Sequence, residues 1–457
     1  MSDTTEPSRT EPNTTEPGQR EHSSIGHALN AHFPTTTVIA CHAWIEDQLG
    51  GAFKVASELA EHLAACGHRV CYVSSTSQAV FQNPTLSRGV ELWRYRQPVA
   101  RSPHPGNLWN HVRETFRVTR SIAKTSHIVC FNGHTPLQFL GGSLAAGANC
   151  PRHIYSVHSP FDDELQANWG QRNPTIKQRL GRRIAGLIER QNCSRATQVQ
   201  TLSRYTLNVM RHKHPRALRD KGIVSPGWVD THRFQPAVDR RVLRATLDPI
   251  WQTQDPLFFA LRRLEPRMGL DRLIDAAGCL RDASGCRPFR LIIGGSGSLR
   301  GYLEQRVGNL GLNNCVFFSG RISDERLPDC YAAADCFVLP STALECFGLI
   351  VLEAFACGTP VIGTPVGAIP ELLAGNNRGW LTEGTDAGQI AARMREFLEC
   401  RLKFDARSLR SIAESYDQAA GVSRLAAICL SETAVNERQH EKANSPGGST
   451  EAASGEQ

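Results

Sequence analysis

Short apolar runs alternate with longer amphipathic stretches through most of this chain. Residues 36–43 read as a buried strand, a loop reaches Gly50 and Gly51, and 53–65 carry apolar residues at helical spacing. Gly67 and His68 stop that helix, and 69–74 read as the next strand. The three pieces make one βαβ unit with a glycine turn ahead of its helix. The alternation continues with strands predicted at 127–131, 152–157 and 198–203. After a composition break over 238–255 it resumes at 257–261, 289–293, 316–320, 336–339 and 361–364. Such repetition predicts an α/β protein with domains at 36–222 and 223–405, then a terminal helical segment at 406–432. Within that segment, 409–430 have helical character. Residues 211–221 are basic, broken by Pro215, and read as a loop.

The densest apolar stretch is PSTALECFGLIVLEAFACGTPVIGTPVGAIPELL, residues 340–373. The strand before it ends at Pro340, a short loop follows, and 347–357 predict a helix that Gly358 and Pro360 terminate. Two carboxylates break the stretch. Glu345 lies at the mouth of the helix, and Glu353 is the one charge between Phe347 and Cys357. A helix apolar on every side is buried, so ionising Glu353 without a partner costs on the order of several kcal/mol. The two hydroxyls of a ribose match a carboxylate with two acceptor oxygens. Free N–H groups at Phe347, Gly348 and Leu349 form a positive helix end suited to a diphosphate. The plainer alternative is an exposed Glu345 and a Glu353 paired to a structural arginine.

Glu345 and Glu353, with seven residues between them and followed by Ala-Phe-Ala-Cys-Gly-Thr-Pro-Val-Ile, resemble the E-x7-E signature of family-4 retaining glycosyltransferases (glycosyl transferases group 1). The resemblance implies the GT-B fold, two facing Rossmann-like domains with a deep cleft between them and a last helix that crosses back onto the first. It implies a nucleotide-diphosphate-sugar donor held mostly by the second domain and an acceptor entering from the first. In that pattern Glu345 orients the sugar through its hydroxyls, Glu353 holds the ribose, and Phe347, Gly348 and Leu349 meet the diphosphate. Gly51 is similar to the family glycine that approaches donor or acceptor, although alone the Gly50–Gly51 pair fits any tight turn. Lys54, in the first turn of the following helix, adds positive charge there.

His158 resembles the family histidine lining the reacting sugar, whereas His134, also at a strand end, fits a structural role. IVSPGWVDTHRFQP, at 223–236, is similar to the family's PGGVD segment, with Trp228 replacing the second glycine. Arg263 matches the arginine of Gly-Arg-Leu-x-x-x-Lys-Gly, which with the lysine clamps the diphosphate. Met268 stands at the lysine position, and Arg267 is the candidate second cation, because a guanidinium binds phosphate in a fork. The turn at 294–297 lacks a full G-x-G-x-x-G. Arg321 and Ile322 correspond to the backbone that holds the base. The family is thought to proceed by same-face attack, with the leaving phosphate helping to deprotonate the acceptor, so no dedicated base is expected. No suitably placed D-x-D appears, so no metal or other cofactor is expected.

At 457 residues the chain has material for two cores of ordinary size. No run of about eighteen apolar residues exists, and the opening MSDTTEPSRTEPNTTEPGQREHSS lacks the apolar core of a secretory signal. Residues 1–35 and 433–457 are polar and read as disordered tails. Fifteen cysteines without a C-x-x-C pair, several of them in apolar segments, read as reduced thiols of a cytoplasmic protein. A formal net charge of +7 fits acidic substrates or an anionic membrane surface rather than nucleic acid. TIKQRLGRRIAGLIERQ, at 175–191, has basic residues on one side and Ile and Leu on the other. It reads as a solvated helix face or as a peripheral contact at the inner face of the membrane.

The expected activity is retaining transfer from a UDP-, GDP- or ADP-sugar to a polysaccharide, lipid-linked or small-molecule acceptor, in polysaccharide or glycoconjugate biosynthesis. A sugar-nucleotide epimerase of the same fold, or a non-catalytic sugar-nucleotide-binding protein, is the alternative.

Overall fold

The computed structural model describes residues 35–48, 50–78, 80–97, 105–169, 174–373 and 380–431. The expected tails fall outside them, apart from residue 35, which opens the first strand. Eight strands form the first sheet: β1 (Thr35–Ala40), β2 (Val70–Thr76), β3 (Thr85–Ser87), β4 (Val90–Arg96), β5 (His127–Gly133), β6 (Arg152–Val157), β7 (Gln198–Thr201) and β8 (Gly222–Val224). Their order is β3-β4-β2-β1-β5-β6-β7-β8, parallel except where β3 runs antiparallel to β4. The helices of this half are α1 (Gly51–Ala65), α2 (Pro105–Ala123), α3 (Pro136–Ala146), α4 (Phe161–Trp169), α5 (Ile176–Arg195), α6 (Arg204–Lys213) and α7 (Pro215–Leu218). Right-handed crossovers place α1, which leads from β1 back to β2, on one face of the sheet. They place α2, α3 and α5, which lead the other way, on the opposite face.

The second half begins with α8 (Arg240–Thr246) and builds six parallel strands in the order β11-β10-β9-β12-β13-β14. These are β9 (Leu257–Leu261), β10 (Arg290–Gly294), β11 (Val316–Gly320), β12 (Cys336–Leu339), β13 (Val361–Gly363) and β14 (Trp380–Leu381). Around them lie α9 (Leu270–Arg281), α10 (Arg300–Asn309), α11 (Leu327–Ala333), α12 (Leu349–Ala356), α13 (Ile369–Leu373) and α14 (Ala387–Leu398). The central strands are buried along nearly their whole length, as expected of sheets covered on both faces.

Three local expectations are corrected. The basic stretch 211–221 is not one loop: α6 runs to Lys213, and Pro215 opens α7 at a first-turn position where its missing N–H costs nothing. Residues 222–224 are the eighth strand of the first sheet, so that sheet extends past the boundary expected at 222/223. The terminal segment 409–430 is two helices, not one. The first, α15 (Ala406–Glu414), packs on α12, and the second, α16 (Gln418–Leu430), packs on α1. Asp417 caps α16 by accepting from the N–H of Ala419.

The chain therefore passes between the halves twice, at neighbouring points. Trp228 is buried in the core shared by α1 and α16, while Val229 belongs to the core of the second sheet. Val229 donates to the Tyr416 carbonyl at 3.0 Å and accepts from the N–H of Gln418 at 2.9 Å. Arg410 fastens this junction by donating to the carbonyls of Thr231, Phe234 and Ala356.

Candidate active site

Parallel strands send all their exit loops to one edge, and in both halves the sequence-selected residues stand at that carboxyl edge. In the second half β9 and β12 are neighbours, so the 262–269 loop lies beside the 340–348 loop. Thr342 donates to the Arg267 carbonyl from its N–H at 3.0 Å and its hydroxyl at 3.1 Å, and Arg267 Nη1 donates to the Leu344 carbonyl at 3.1 Å. Gly269 has φ 69°, and a Cβ there would lie 1.9 Å from the Pro340 carbonyl oxygen, so the two loops close only over a glycine.

Glu345 is held by the arginine next to the expected one. Arg262 Nη2 donates to Glu345 Oε2 at 2.5 Å and to Ser341 Oγ at 2.6 Å. Arg263 is exposed, and its guanidinium has no hydrogen bond or ion pair among the described residues. Burial, then the charges of Arg263 and Arg262, push the Arg267 guanidinium below its ordinary range. Three cations thus crowd one edge, and Arg263 is the exposed one. Met268, at the family's lysine position, is 4% exposed and packs into the hydrophobic core.

The helix expected over 347–357 begins two residues later, at Leu349, with Gly348 as its N-cap in a left-handed conformation (φ 94°). The early N–H groups of α12, starting with Leu349, lack acceptors within the helix. Gly51 opens α1 opposite them: a Cβ at Gly51 would lie 3.4 Å from Leu349 Cδ1. Two positive helix ends therefore converge across the cleft. Gly227 lies against Phe347 and Leu349 as well, which ties the junction segment to the same place.

Glu353 is 8% exposed, and its partners come from both halves. Tyr331 donates its hydroxyl to Oε2 at 2.9 Å, and Lys54 Nζ stands 3.8 Å from Oε1. Lys54 also lies 5.9 Å from the centroid of the Phe234 ring. Arg321 and Ile322 follow β11 at the same edge; Arg321 is exposed, and Ile322 packs over Gly294. Further clasps join the halves. Ser203 Oγ donates to the Cys346 carbonyl at 2.6 Å, and Glu371 accepts from the N–H groups of Arg204 and Tyr205 at the start of α6.

The first half presents a row of histidines. His42, His134 and His158 follow β1, β5 and β6, three adjacent strands. His134 Nδ1 and His158 Nε2 share a hydrogen bond of 2.9 Å, with the rings stacked at 5.2 Å. Burial pushes His158 down to about 4, and burial and then His158 hold His134 well below the usual histidine range. His42 contacts the His111 ring at 5.0 Å and is lowered by burial. These rings are neutral near pH 7; His134 is buried, and the partly exposed His42 and His158 can hydrogen-bond a hydroxyl without a charge. Among the described residues no group of three His, Cys, Asp or Glu side chains converges to hold a metal ion.

The sequence reading missed Arg262, Tyr331 and His42. His42 carried the same signal as His134 and His158, a histidine at the end of a predicted strand. Nothing in the sequence distinguished which of the adjacent Arg262 and Arg263 meets Glu345.

Comparison with known proteins agrees with this geometry. The family described as "Glycosyl transferases group 1" matches residues 248–415, and "Glycosyltransferase Family 4" matches 49–233. The chain is 33% identical over 195 residues to the D-inositol 3-phosphate glycosyltransferase of Streptomyces avermitilis, 41% of this chain and 41% of that protein. It is 31% identical over 279 residues to the GDP-mannose-dependent alpha-(1-6)-phosphatidylinositol monomannoside mannosyltransferase of Mycolicibacterium smegmatis, 59% of this chain and 66% of that one. The matches thus span from 41% to 66% of the length of these two relatives. The sucrose-phosphate synthase structure from Thermosynechococcus elongatus superposes with TM-score 0.67 at 22% identity, covering 89% of this chain and 98% of that one. Two facing parallel-sheet domains with this cleft define the GT-B class. The chain belongs to the group 1 glycosyltransferases of that class.

Proposed function

We propose that the chain transfers a sugar from a nucleoside-diphosphate donor to a hydroxyl acceptor with retention at the anomeric carbon. The observation that carries this reading is the convergence of two helix N-termini, at Gly51 and Leu349, with the exposed Arg263 in the loop that neighbours 340–348. A diphosphate seated there meets fixed positive dipoles and a guanidinium where charge builds on the leaving group. Glu353 accepts from the ribose hydroxyls, and Arg321 and Ile322 border the base. Glu345, set by Arg262 and Ser341, accepts from the sugar hydroxyls and fixes the ring, with His158 on the opposite wall. The bond from the anomeric carbon to the phosphate oxygen breaks while the acceptor oxygen attacks from the same face. The acceptor proton passes to the departing phosphate. Arg267, already bonded to the Leu344 carbonyl, contributes the second charge that Met268 cannot.

The test begins with the melting temperature of the protein with UDP, GDP and ADP and their sugars, with and without a chelator. The GDP-mannose dependence in one relative's name puts GDP first. One base is expected to raise the melting temperature in chelator, Glu353→Ala to abolish that rise, and Glu345→Ala mainly to lower turnover. NMR of the product is expected to show the donor's anomeric configuration. An inverted product overturns the mechanism, and donor turnover to an isomer without acceptor overturns the reading as a transferase.

A further inference from the structure

One face of α5 is left apolar and uncovered. Ile176, Leu180, Ile184 and Leu187 are 83%, 56%, 49% and 63% exposed. At 3.6 residues per turn the four fall within an arc of roughly 80°. The buried residues of the helix, Ala185, Glu189, Asn192 and Cys193, lie on the opposite side, so the aliphatic stripe points straight out from the domain.

Charge flanks the stripe on both sides. Lys177 borders it on one side and Arg183 and Arg190 on the other, all exposed. The one acidic residue of α5, Glu189, is fully buried. A second copy of the same stripe would bring like charges together at a two-fold interface. A lipid surface with anionic headgroups satisfies both parts, accepting the aliphatic chains between its acyl chains and the cations at its headgroups.

The stripe also stands on the cleft side. Glu189 Oε1 accepts from the N–H of Phe161 at 3.0 Å, three residues beyond His158. From there α5 runs on to the amino end of β7, so its turns before Glu189, about 20 Å of helix, project past the carboxyl edge of the sheet.

We infer that this face of α5 docks the protein on an anionic lipid bilayer, with the cleft edge next to the headgroups. For the reaction proposed above, and resting on that reading, this selects an acceptor carried at a membrane surface over a freely diffusing one.

The test is co-sedimentation of the full chain with sucrose-loaded vesicles of phosphatidylcholine alone or with phosphatidylglycerol added. The protein is expected to pellet with the anionic vesicles, to remain largely in solution with the neutral ones, and to be released progressively by salt. Leu180→Glu with Ile184→Glu is expected to lower partitioning at least about tenfold. Its melting temperature should be unchanged, because both side chains are exposed. Replacing Lys177, Arg183 and Arg190 by Gln should lower partitioning about fivefold per charge. Wild-type protein that stays in solution with both vesicles overturns the inference, as does a Leu180→Glu/Ile184→Glu variant that pellets normally. A dimer that this double variant dissociates shows a second copy on the stripe and also overturns it. The nucleotide-induced melting shift, measured on the same samples, reports separately on the donor site.

Discussion

Along the carboxyl edge of the first sheet stand His42, His134 and His158, held neutral by burial. Along the matching edge of the second stand Arg262, ion-paired to Glu345, Arg267, bonded to the Leu344 carbonyl, the exposed Arg263, and Glu353 with Tyr331 and Lys54 as its partners. The same topology delivers side chains to both edges, so the difference lies in the residues. A neutral, hydrogen-bonding wall suits hydroxyl groups, whereas crowded guanidiniums beside helix N-termini suit a diphosphate. Where the halves meet, Lys54 approaches Glu353, Gly51 lies against Leu349, and Glu371 accepts from the start of α6.

The contrast breaks most readily at Glu345. Glu345→Gln keeps the shape but removes the charge opposite Arg262, and kcat is expected to fall about 10²–10³-fold in initial-rate assays at saturating donor. Next come the arginines. Arg263→Ala should weaken nucleoside-diphosphate binding about 10–100-fold by calorimetry, since charge-assisted bonds are the strong ones. Arg267→Ala should cost less, about tenfold, because that guanidinium is already bonded to the Leu344 carbonyl. An unchanged affinity and rate in Arg267→Ala removes it as the second cation.

The histidine edge is sharpened by pH. The His158 ring is lowered to about 4 in the folded protein and returns to its ordinary value, near 6.5, on unfolding. Between those values the unfolded chain binds more protons, so the stability tied to the neutral ring is complete above pH 6.5 and lost as pH falls toward 4. Allowing for its partial exposure, about 2 kcal/mol is at stake. His158→Gln should flatten the melting curve against pH in that window, and an identical slope in wild type and variant would show that the ring is not held neutral. The smallest effect is expected at Lys54, whose ion pair with Glu353 is long and partly exposed. Lys54→Met should change nucleotide affinity less than about fivefold in the same calorimetric assay.

Much of this was legible in the chain because buried parallel strands read as short apolar runs and the two carboxylates stand out in an apolar stretch. The site was less legible wherever an orientation decided the role. Arg262 and Arg263 are adjacent, and which one turns to Glu345 is set by the end of β9 and by its neighbour β12, not by any local pattern. Met268 was recognisable as a lost charge, but its burial in the core was not. The division of 409–430 into two helices did carry a local signal, since Asp417 is a good N-cap, yet the helical character of the residues on either side masked it.

The paired crossings at Val229 and Tyr416–Gln418 also determine how the halves can move. A single linker would permit twisting as well as bending. Two chain segments joined side by side by backbone hydrogen bonds act as two pins on one post. Swinging about the line of the pins keeps these bonds, whereas rotating one half against the other would shear the pair and break the bonds to Val229. The arginines, carboxylates and histidines of the facing edges are thereby confined to one arc of approach.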